Sequence, residues 1–440
     1  MDLKISARNV RAIEQAEIDV SGITVLSGIN GCGKSTISRF LYELLYGALR
    51  YNELVDADMT FQLHTLNQSI FSAVTNLSGI IPDTERIKIS NAIVRRDQTS
   101  RENTKALLDF AIQSLETALT EKRKPFSDSQ KARLNSAVSI LSSAIQAGGK
   151  ASFGEDSASR IFRDVKTFVD KISEDSIKTK SARSVSVFQK FWSEKFSRPL
   201  DPDAFNVLEN GIPICDAKRN VVALPDSVKN VFYIDSPMAY GENHSERDYW
   251  LNLNRALRPT GELSSYFGSG DPSEGILGGS FEWNEDRSDI FYTQPDGTRF
   301  GLFQDGATGL KSFTIVQGLY RNGLVNEKTL LIMDEPEAHL HPQWIVRFAR
   351  FLVLLRKKTG CTLLVSSHST DFVSAVKYIS EKELNADPKF YLAEQKHPDK
   401  FLYSYRFVGD DIEPIFNTFN KAFRLENLFA GSGEEDAKEV

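Results

Sequence analysis

Cysteines and long apolar runs are scarce in this chain. Only three cysteines occur in 440 residues, Cys32, Cys215 and Cys361. They lie far apart and without metal-ligand spacing, which argues against a disulfide framework or a zinc site and makes a reducing cytoplasm the expected setting. No apolar run approaches the ~20 residues a membrane-spanning helix needs, so no membrane partner is expected. The opening MDLKISARNV has no apolar signal-peptide core. Heptads do not persist long enough for an extended coiled coil, and no internal repeat is found. What is there is an ordinary globular composition, 41% hydrophobic and 25% charged, in a chain long enough for two or three domains.

Charge is unevenly spread. The net charge is −6, yet residues 81–200 hold 22 Lys+Arg against 15 Asp+Glu, a surplus of +7 that leaves −13 elsewhere. A basic middle in an acidic whole suits either a nucleic-acid or acidic-partner surface or a solvated helical one.

Two segments about 300 residues apart describe the halves of one phosphate site. The first, Gly28-Ile29-Asn30-Gly31-Cys32-Gly33-Lys34-Ser35, matches G-x-x-x-x-G-K-[ST] and follows an apolar strand, Ile23 to Leu26. Such a loop wraps its N–H groups around phosphates, Lys34 reaches the β- and γ-phosphate oxygens, and Ser35 can ligate Mg²⁺. From Thr36 onward ISRFLYELLYGAL predicts a helix, so the phosphates of ATP would sit at a helix N-terminus. Cys32, inside the loop, reads as a small tolerated side chain.

The second segment, Thr329 to Pro336, is an apolar strand ending in Asp334 and Glu335. With a phosphate loop upstream, Asp334 is placed to hold Mg²⁺ and Glu335 to polarise the water that attacks the γ-phosphate. His368 ends the next apolar strand, in LLVSSHS, where an imidazole can sense that phosphate. His339 and His341 in EAHLHP look like a metal pair, but no Cys or third His lies nearby; a structural or nucleotide-interface loop is the better reading.

Along the chain, strands are expected at Leu3–Ala7, Ala16–Val20 and Ile23–Ser27, and a strand or loop around Met59 to Gly79. Thr104 to Lys124 and Ser127 to Ala147 carry helical periodicity on either side of Pro125 and predict an antiparallel helical hairpin. Shorter helices are expected at Ser157–Ile172 and Val185–Phe196, then a strand at Val228–Ile234. Asp289–Thr293 and Thr298–Phe303 flank a Pro295-Asp296-Gly297 turn, and Gly261–Gly279 reads as a loop. The last third alternates helix and strand, which implies parallel strands with crossover helices. A helix from Ile412 to Leu428 and an acidic, disordered GSGEEDAKEV end the chain.

DEPEAHLHP followed by SSHS resembles ABC-type ATPases of the SMC and recombination-repair branch, especially the OLD-like and Septu-like ATPases of bacterial antiphage defence. The resemblance covers residues 1 to about 80 and about 220 to 425. It implies an α/β, ABC-type ATPase head, a mixed sheet with a P-loop core and an antiparallel β subdomain, interrupted by a helical insert. The expected divisions are 1–80, a basic helical insert 81–200, a C-terminal lobe 201–428 and a tail 429–440. It implies a signature motif at Ala307-Thr308-Gly309-Leu310-Lys311, which departs from the usual Ser-Gly-Gly, a D-loop at Ala338–His341, and a Q-loop glutamine at Gln68 or Gln62. The implied cofactors are ATP and Mg²⁺, and the implied activity is slow ATP hydrolysis in a head-to-tail homodimer or higher homo-oligomer. Relatives often continue into a TOPRIM nuclease; with about 70 residues after His368, a separate nuclease or toxin is the expected effector. The alternative is a DNA-binding clamp in repair or chromosome maintenance.

Overall fold

A computed structural model describes residues 2–94, 100–121, 125–145, 155–235, 248–258, 272, 276, 280–284, 289–293, 296–301, 308–384, 388–396 and 400–419. The chain opens with β1 (Leu3–Val10), β2 (Ile13–Val20), β3 (Ile23–Ser27) and α1 (Lys34–Leu49). A helical stretch follows: α2 (Tyr51–Asn76), α3 (Asp83–Val94), α4 (Arg101–Thr120), α5 (Asp128–Ala144), α6 (Glu155–Ala182) and α7 (Val185–Phe196). Next come β4 (Phe205–Glu209), β5 (Ile212–Pro213), β6 (Cys215–Asp216), β7 (Val221–Val222), β8 (Asn230–Ile234), α8 (Asp248–Leu257), β9 (Ser280–Asn284), β10 (Asp289–Thr293) and β11 (Arg299–Gly301). The last part is α9 (Thr308–Arg321), β12 (Thr329–Asp334), α10 (Pro342–Thr359), β13 (Thr362–Ser367), α11 (Thr370–Leu384), β14 (Lys389–Gln395), β15 (Tyr403–Phe407) and α12 (Glu413–Phe419).

The chain folds as two compact units, residues 1–49 with 192–440, and residues 50–191. The first, the head, is built on a ten-stranded mixed sheet in the order β5-β4-β1-β2-β15-β14-β3-β13-β12-β8. From β14 to β8 every neighbouring pair is parallel. β3, β12 and β13 are buried at every position, as strands covered on both faces must be, hence their unbroken apolar runs. β1 instead pairs antiparallel with β2 and β4 and shows the in–out alternation of a half-buried strand. α10 has sharp ends. His341 caps its N-terminus, Pro342 fills its first turn, and Gly360 closes it in the left-handed conformation. Its buried face meets α9 through Phe313, whose ring lies 4.7 Å from Phe348 and 5.6 Å from Phe351. A separate three-stranded antiparallel sheet, β11-β10-β9, contains the expected hairpin, with its second strand limited to Arg299–Gly301.

The second unit is helical, with an apolar cluster at its centre that runs from Leu63, Ile70 and Leu108 to Phe162 and Val169. Two expectations fail here. Met59 to Gly79 lies mostly within α2, a 26-residue helix, and forms no sheet strand. Leu63, Leu66, Ile70, Ala73 and Leu77 recur at three- and four-residue spacing and are buried. The intervening Thr60, Thr65, Ser69, Ser72 and Thr75 hide that period, because each hydroxyl donates to the carbonyl four residues back. The hairpin also fails: α4 lies chiefly against α6, and α5 against α2 and α6. α6, at 28 residues, is much longer than expected and supplies the surface both need. The helical unit starts at 50, upstream of the expected 81. Most of the 261–279 loop, Pro295, Ala307, the chain beyond 419 and the acidic tail lie outside the described residues. No described helix is long and apolar enough to cross a membrane.

Candidate nucleotide site

The parallel strands bring the two sequence segments together. β13 sits between β3, which feeds the glycine loop, and β12, which carries Asp334. The loop, Asp334, Glu335 and His368 therefore gather at the same, C-terminal, end of adjacent strands, where open α/β sheets bind ligands.

The loop is held tightly from the sheet side. Gly33 has φ +99°, and a Cβ there would lie 2.7 Å from Ile13 Cγ1. At Gly28 a Cβ would meet both Ala393 Cβ and Cys32 Sγ at 2.8 Å. Only glycine fits either position. Cys32 is fully buried, with Tyr405 Oη donating to its carbonyl at 3.3 Å. Its side chain packs inward, as a small tolerated residue would. Asn30, Gly31 and Ser35 face solvent, and Thr36 is half-buried. Lys34 starts α1 and is 4% exposed, its ammonium donating to Gly28 O at 2.8 Å and Ile29 O at 3.0 Å. Ser38 in the next turn meets Ser366 hydroxyl to hydroxyl at 2.8 Å, tying α1 to β13.

Asp334 is 6% exposed. Tyr233 Oη donates to its Oδ2 at 3.1 Å. Its Oδ1 is buried without a hydrogen-bond partner, although the Ser35 hydroxyl lies close enough to favour the ionised form. Burial pushes its pKa up to about 6; Asp235 and Glu335 add to the rise, while Ser35 and Tyr233 oppose it. A buried, orphaned carboxylate oxygen beside a serine hydroxyl is the donor set a hard, oxygen-seeking divalent cation fits. Among the described residues no group of three or more His, Cys, Asp and Glu could hold a metal. His341 is instead a helix cap, its Nδ1 accepting from Gln343 N–H at 3.4 Å, and His339 is exposed in a left-handed turn at φ +65°.

Glu335 also has a left-handed backbone, φ +49°, anchored by its N–H donating to Ser366 O at 2.9 Å. The turn carries its carboxylate to 3.2 Å from His368 Nδ1. That hydrogen bond holds Glu335 below the usual carboxylate range and raises His368 above the usual histidine range, against the burial of each. Lys34 adds to the lowering of Glu335 and opposes the rise of His368, which ties all three groups into one electrostatic cluster.

Sequence reasoning missed Glu337, the other acid of DEPE. It is 4% exposed, and its Oε1 accepts from Ser367 Oγ at 2.6 Å and from His368 N–H at 3.0 Å. Its Oε2 is buried without a partner, and burial raises its pKa. One side chain thus fixes the backbone of His368 to the turn after β12. The available signal was a third acid in a turn that already had two. Tyr233 and Tyr405 were missed as well; nothing marks an aromatic in a strand as a ligand of the strand beside it.

Other expected site residues lie on other elements. Gln62 and Gln68 lie in the helical unit, on an exposed face of α2, where Gln62 donates to Asp58 and Gln68 meets His64 at 3.1 Å. Both sit mid-helix, so the loop expected around them is corrected. Thr308 and Gly309 open α9 with Lys311 in its first turn.

Comparison with known proteins places the chain among ATPase-type domains. A family model described as "AAA domain" matches residues 4–184, and one described as "AAA domain, putative AbiEii toxin, Type IV TA system" matches residues 307–374. The Old nuclease of Escherichia phage P2 is 22% identical over 436 residues, 96% of this chain. The chain spans 65% of that relative's length. Among solved structures, the Pyrococcus furiosus Smc head domain with an extended coiled coil, bound to the C-terminal domain of ScpA, is 9% identical, with a TM-score of 0.31 over 95% of this chain and 98% of that one. The SMC head domain from Thermotoga maritima is 14% identical, with a TM-score of 0.27 over 46% of this chain and 64% of that one.

Proposed function

We propose that this chain, an OLD-like ABC-type ATPase with AAA domains, is a slow ATP-driven switch that closes head-to-tail on a second copy and governs a separate effector. The observation that carries this reading is the convergence of Lys34, Ser35, Asp334, Glu335 and His368 on one end of three adjacent strands. Bound Mg²⁺, held by Ser35 and Asp334, would neutralise phosphate charge. Lys34 turns from the carbonyls of Gly28 and Ile29 to the phosphates, and the N–H groups of residues 30–36 line the cradle. Glu335 is the water-polarising base, with Oε1 held by His368 at rest and Oε2 left to face the water. His368, once released, is a donor for the γ-phosphate.

Closure on a second copy rests on the resemblance: the start of α9, with Thr308, Gly309 and Lys311, offers a helix N-terminus to a partner's phosphate. Control of a nuclease or toxin in antiphage defence or DNA surveillance, in the cytoplasm, rests on the resemblance in sequence, and the likeness to the Old nuclease supports its nuclease part. The DNA-clamp alternative has less support. The helical unit holds 21 Lys+Arg against 17 Asp+Glu, a surplus of only four. Many of those cations are already paired, Arg101 and Lys105 with Asp170, Arg163 with Glu116, Lys166 with Asp109 and Lys190 with Asp58.

The test is Glu335→Gln. It should bind ATP normally, hydrolyse it on the order of 100-fold more slowly, and run as a dimer by light scattering when ATP and Mg²⁺ are present. Hydrolysis at the wild-type rate would reassign the base. A variant that stays monomeric with ATP bound would remove the head-to-tail switch.

A further inference from the structure

Asp235 immediately follows β8, the edge strand beside β12. The two strands run parallel with Met333 opposite Ile234, so one residue further on Asp334 and Asp235 stand side by side. Strands in a sheet are about 4.8 Å apart and successive side chains alternate between faces. Asp235 thus shares a face with Tyr233 and Asp334. It is the face on which α1 packs, since Tyr42 of α1 lies 5.8 Å from the Tyr233 ring, and α1 begins with Lys34 and Ser35. Each carboxylate is steadied by a phenol: Tyr233 donates to Asp334 Oδ2, and Tyr249 of α8 donates to Asp235 Oδ2 at 2.8 Å. Tyr233 and Tyr249 pack edge to face at 4.9 Å, which fixes the pair as one unit. Two neighbouring carboxylates, one of them 6% exposed with an orphaned oxygen, are poorly stable together unless a proton or a cation comes between them.

We propose that Asp235 is a second carboxylate of the magnesium site, holding the water shell of an ion that Ser35 and Asp334 bind. Magnesium keeps several waters and takes one or two carboxylates, so a partner for those waters on the neighbouring strand suits it. The inference rests on the nucleotide-site reading above.

Asp235→Asn tests it with readouts that do not depend on turnover. Mn²⁺ affinity is measured by electron paramagnetic resonance in the presence of a non-hydrolysable ATP analogue, and binding of a fluorescent ATP analogue is titrated with Mg²⁺. The variant should need about 10-fold more of either cation, while binding the analogue without metal as well as wild type. An unchanged cation requirement in a variant that still binds the analogue overturns the role of Asp235 and leaves the site standing. No nucleotide binding by wild type at any Mg²⁺ level overturns both. If Asp235→Asn fails to fold, Tyr249→Phe removes the donor that fixes the carboxylate and keeps its charge. It should raise the cation requirement about 3-fold, and no change there counts against the proposal equally.

Discussion

The two units handle charge in opposite ways. Every buried lysine, aspartate and glutamate among the described residues, Lys34, Glu43, Glu209, Asp334 and Glu337, belongs to the head. In the helical unit the buried polar residues are neutral, Asn67, Thr104, Ser114, Ser159, Ser173 and Ser176, and charges meet one another on the surface. Burying an unpaired charge is costly, and a fold tolerates it where it serves a purpose. Three of the head's five lie in one cluster at the ends of β3, β12 and β13. The helical unit shows the cheaper solution, an apolar interior with a solvated charged skin. Among the described residues, buried lysines and carboxylates are thus confined to the head.

The largest effect should come from removing the head's buried cation. Lys34→Ala leaves the glycine loop with its N–H groups but without its phosphate-directed charge, so ATP affinity should fall on the order of 100-fold. Isothermal titration calorimetry measures it. The melting temperature should barely move, because Lys34 bonds only carbonyls of its own loop in the resting state. A large loss of stability with little loss of affinity would reverse the contrast between the units.

The converse experiment belongs to the helical unit. Phe162 is fully buried in its apolar core, and Phe162→Ala should destabilise that unit by about 3–5 kcal/mol. Nucleotide affinity should stay within about twofold of wild type, since the substitution is remote in sequence and shares no partner with the loop. Calorimetric melting followed alongside ATP titration separates the two. A substitution that abolished nucleotide binding without unfolding the helical unit would show the head depending on it.

These contrasts follow how legible each part was. The gathering of the site residues was readable because it is dictated by residue type at fixed spacing: glycines where Cβ atoms would strike Ile13 and Ala393, and acids at the end of an unbroken apolar strand. The parallel core was readable for the same reason, since β12 and β13 are buried at every position and flanked by strongly periodic helices. α2 was not, because back-bonded threonines and serines imitate the composition of a strand or loop. Helix pairing in the second unit was not either. α4 and α5 are joined by a short connection, yet α4 packs chiefly on α6, further along the chain, and α5 on α2 and α6. Glu337 and Tyr233 escaped because their roles are set by neighbours hydrogen-bonded across the sheet end, which no local spacing reveals.

The smallest effect sharpens the contrast at a partly exposed ion pair of the head, Glu335 with His368. His368 has a raised folded pKa, so its share of stability is fully present below its ordinary value of 6.5 and is lost as pH rises through the raised value. Glu335 has a lowered one, so its share is present above 4.5 and is lost as pH falls through the lowered value. The pair therefore stabilises the fold in the window between those two folded-state values. With both side chains more than a third exposed, solvent screening limits the gain to roughly 0.5 kcal/mol, or about 1–2 °C. The melting temperature of wild type minus that of His368→Ala, measured from about pH 4 to about pH 9, should trace a plateau that declines on the alkaline side first. Salt at about 1 M should flatten it, as it does for exposed pairs and not for buried ones. A difference that ignored pH would mean that Glu335 is free of His368 at rest.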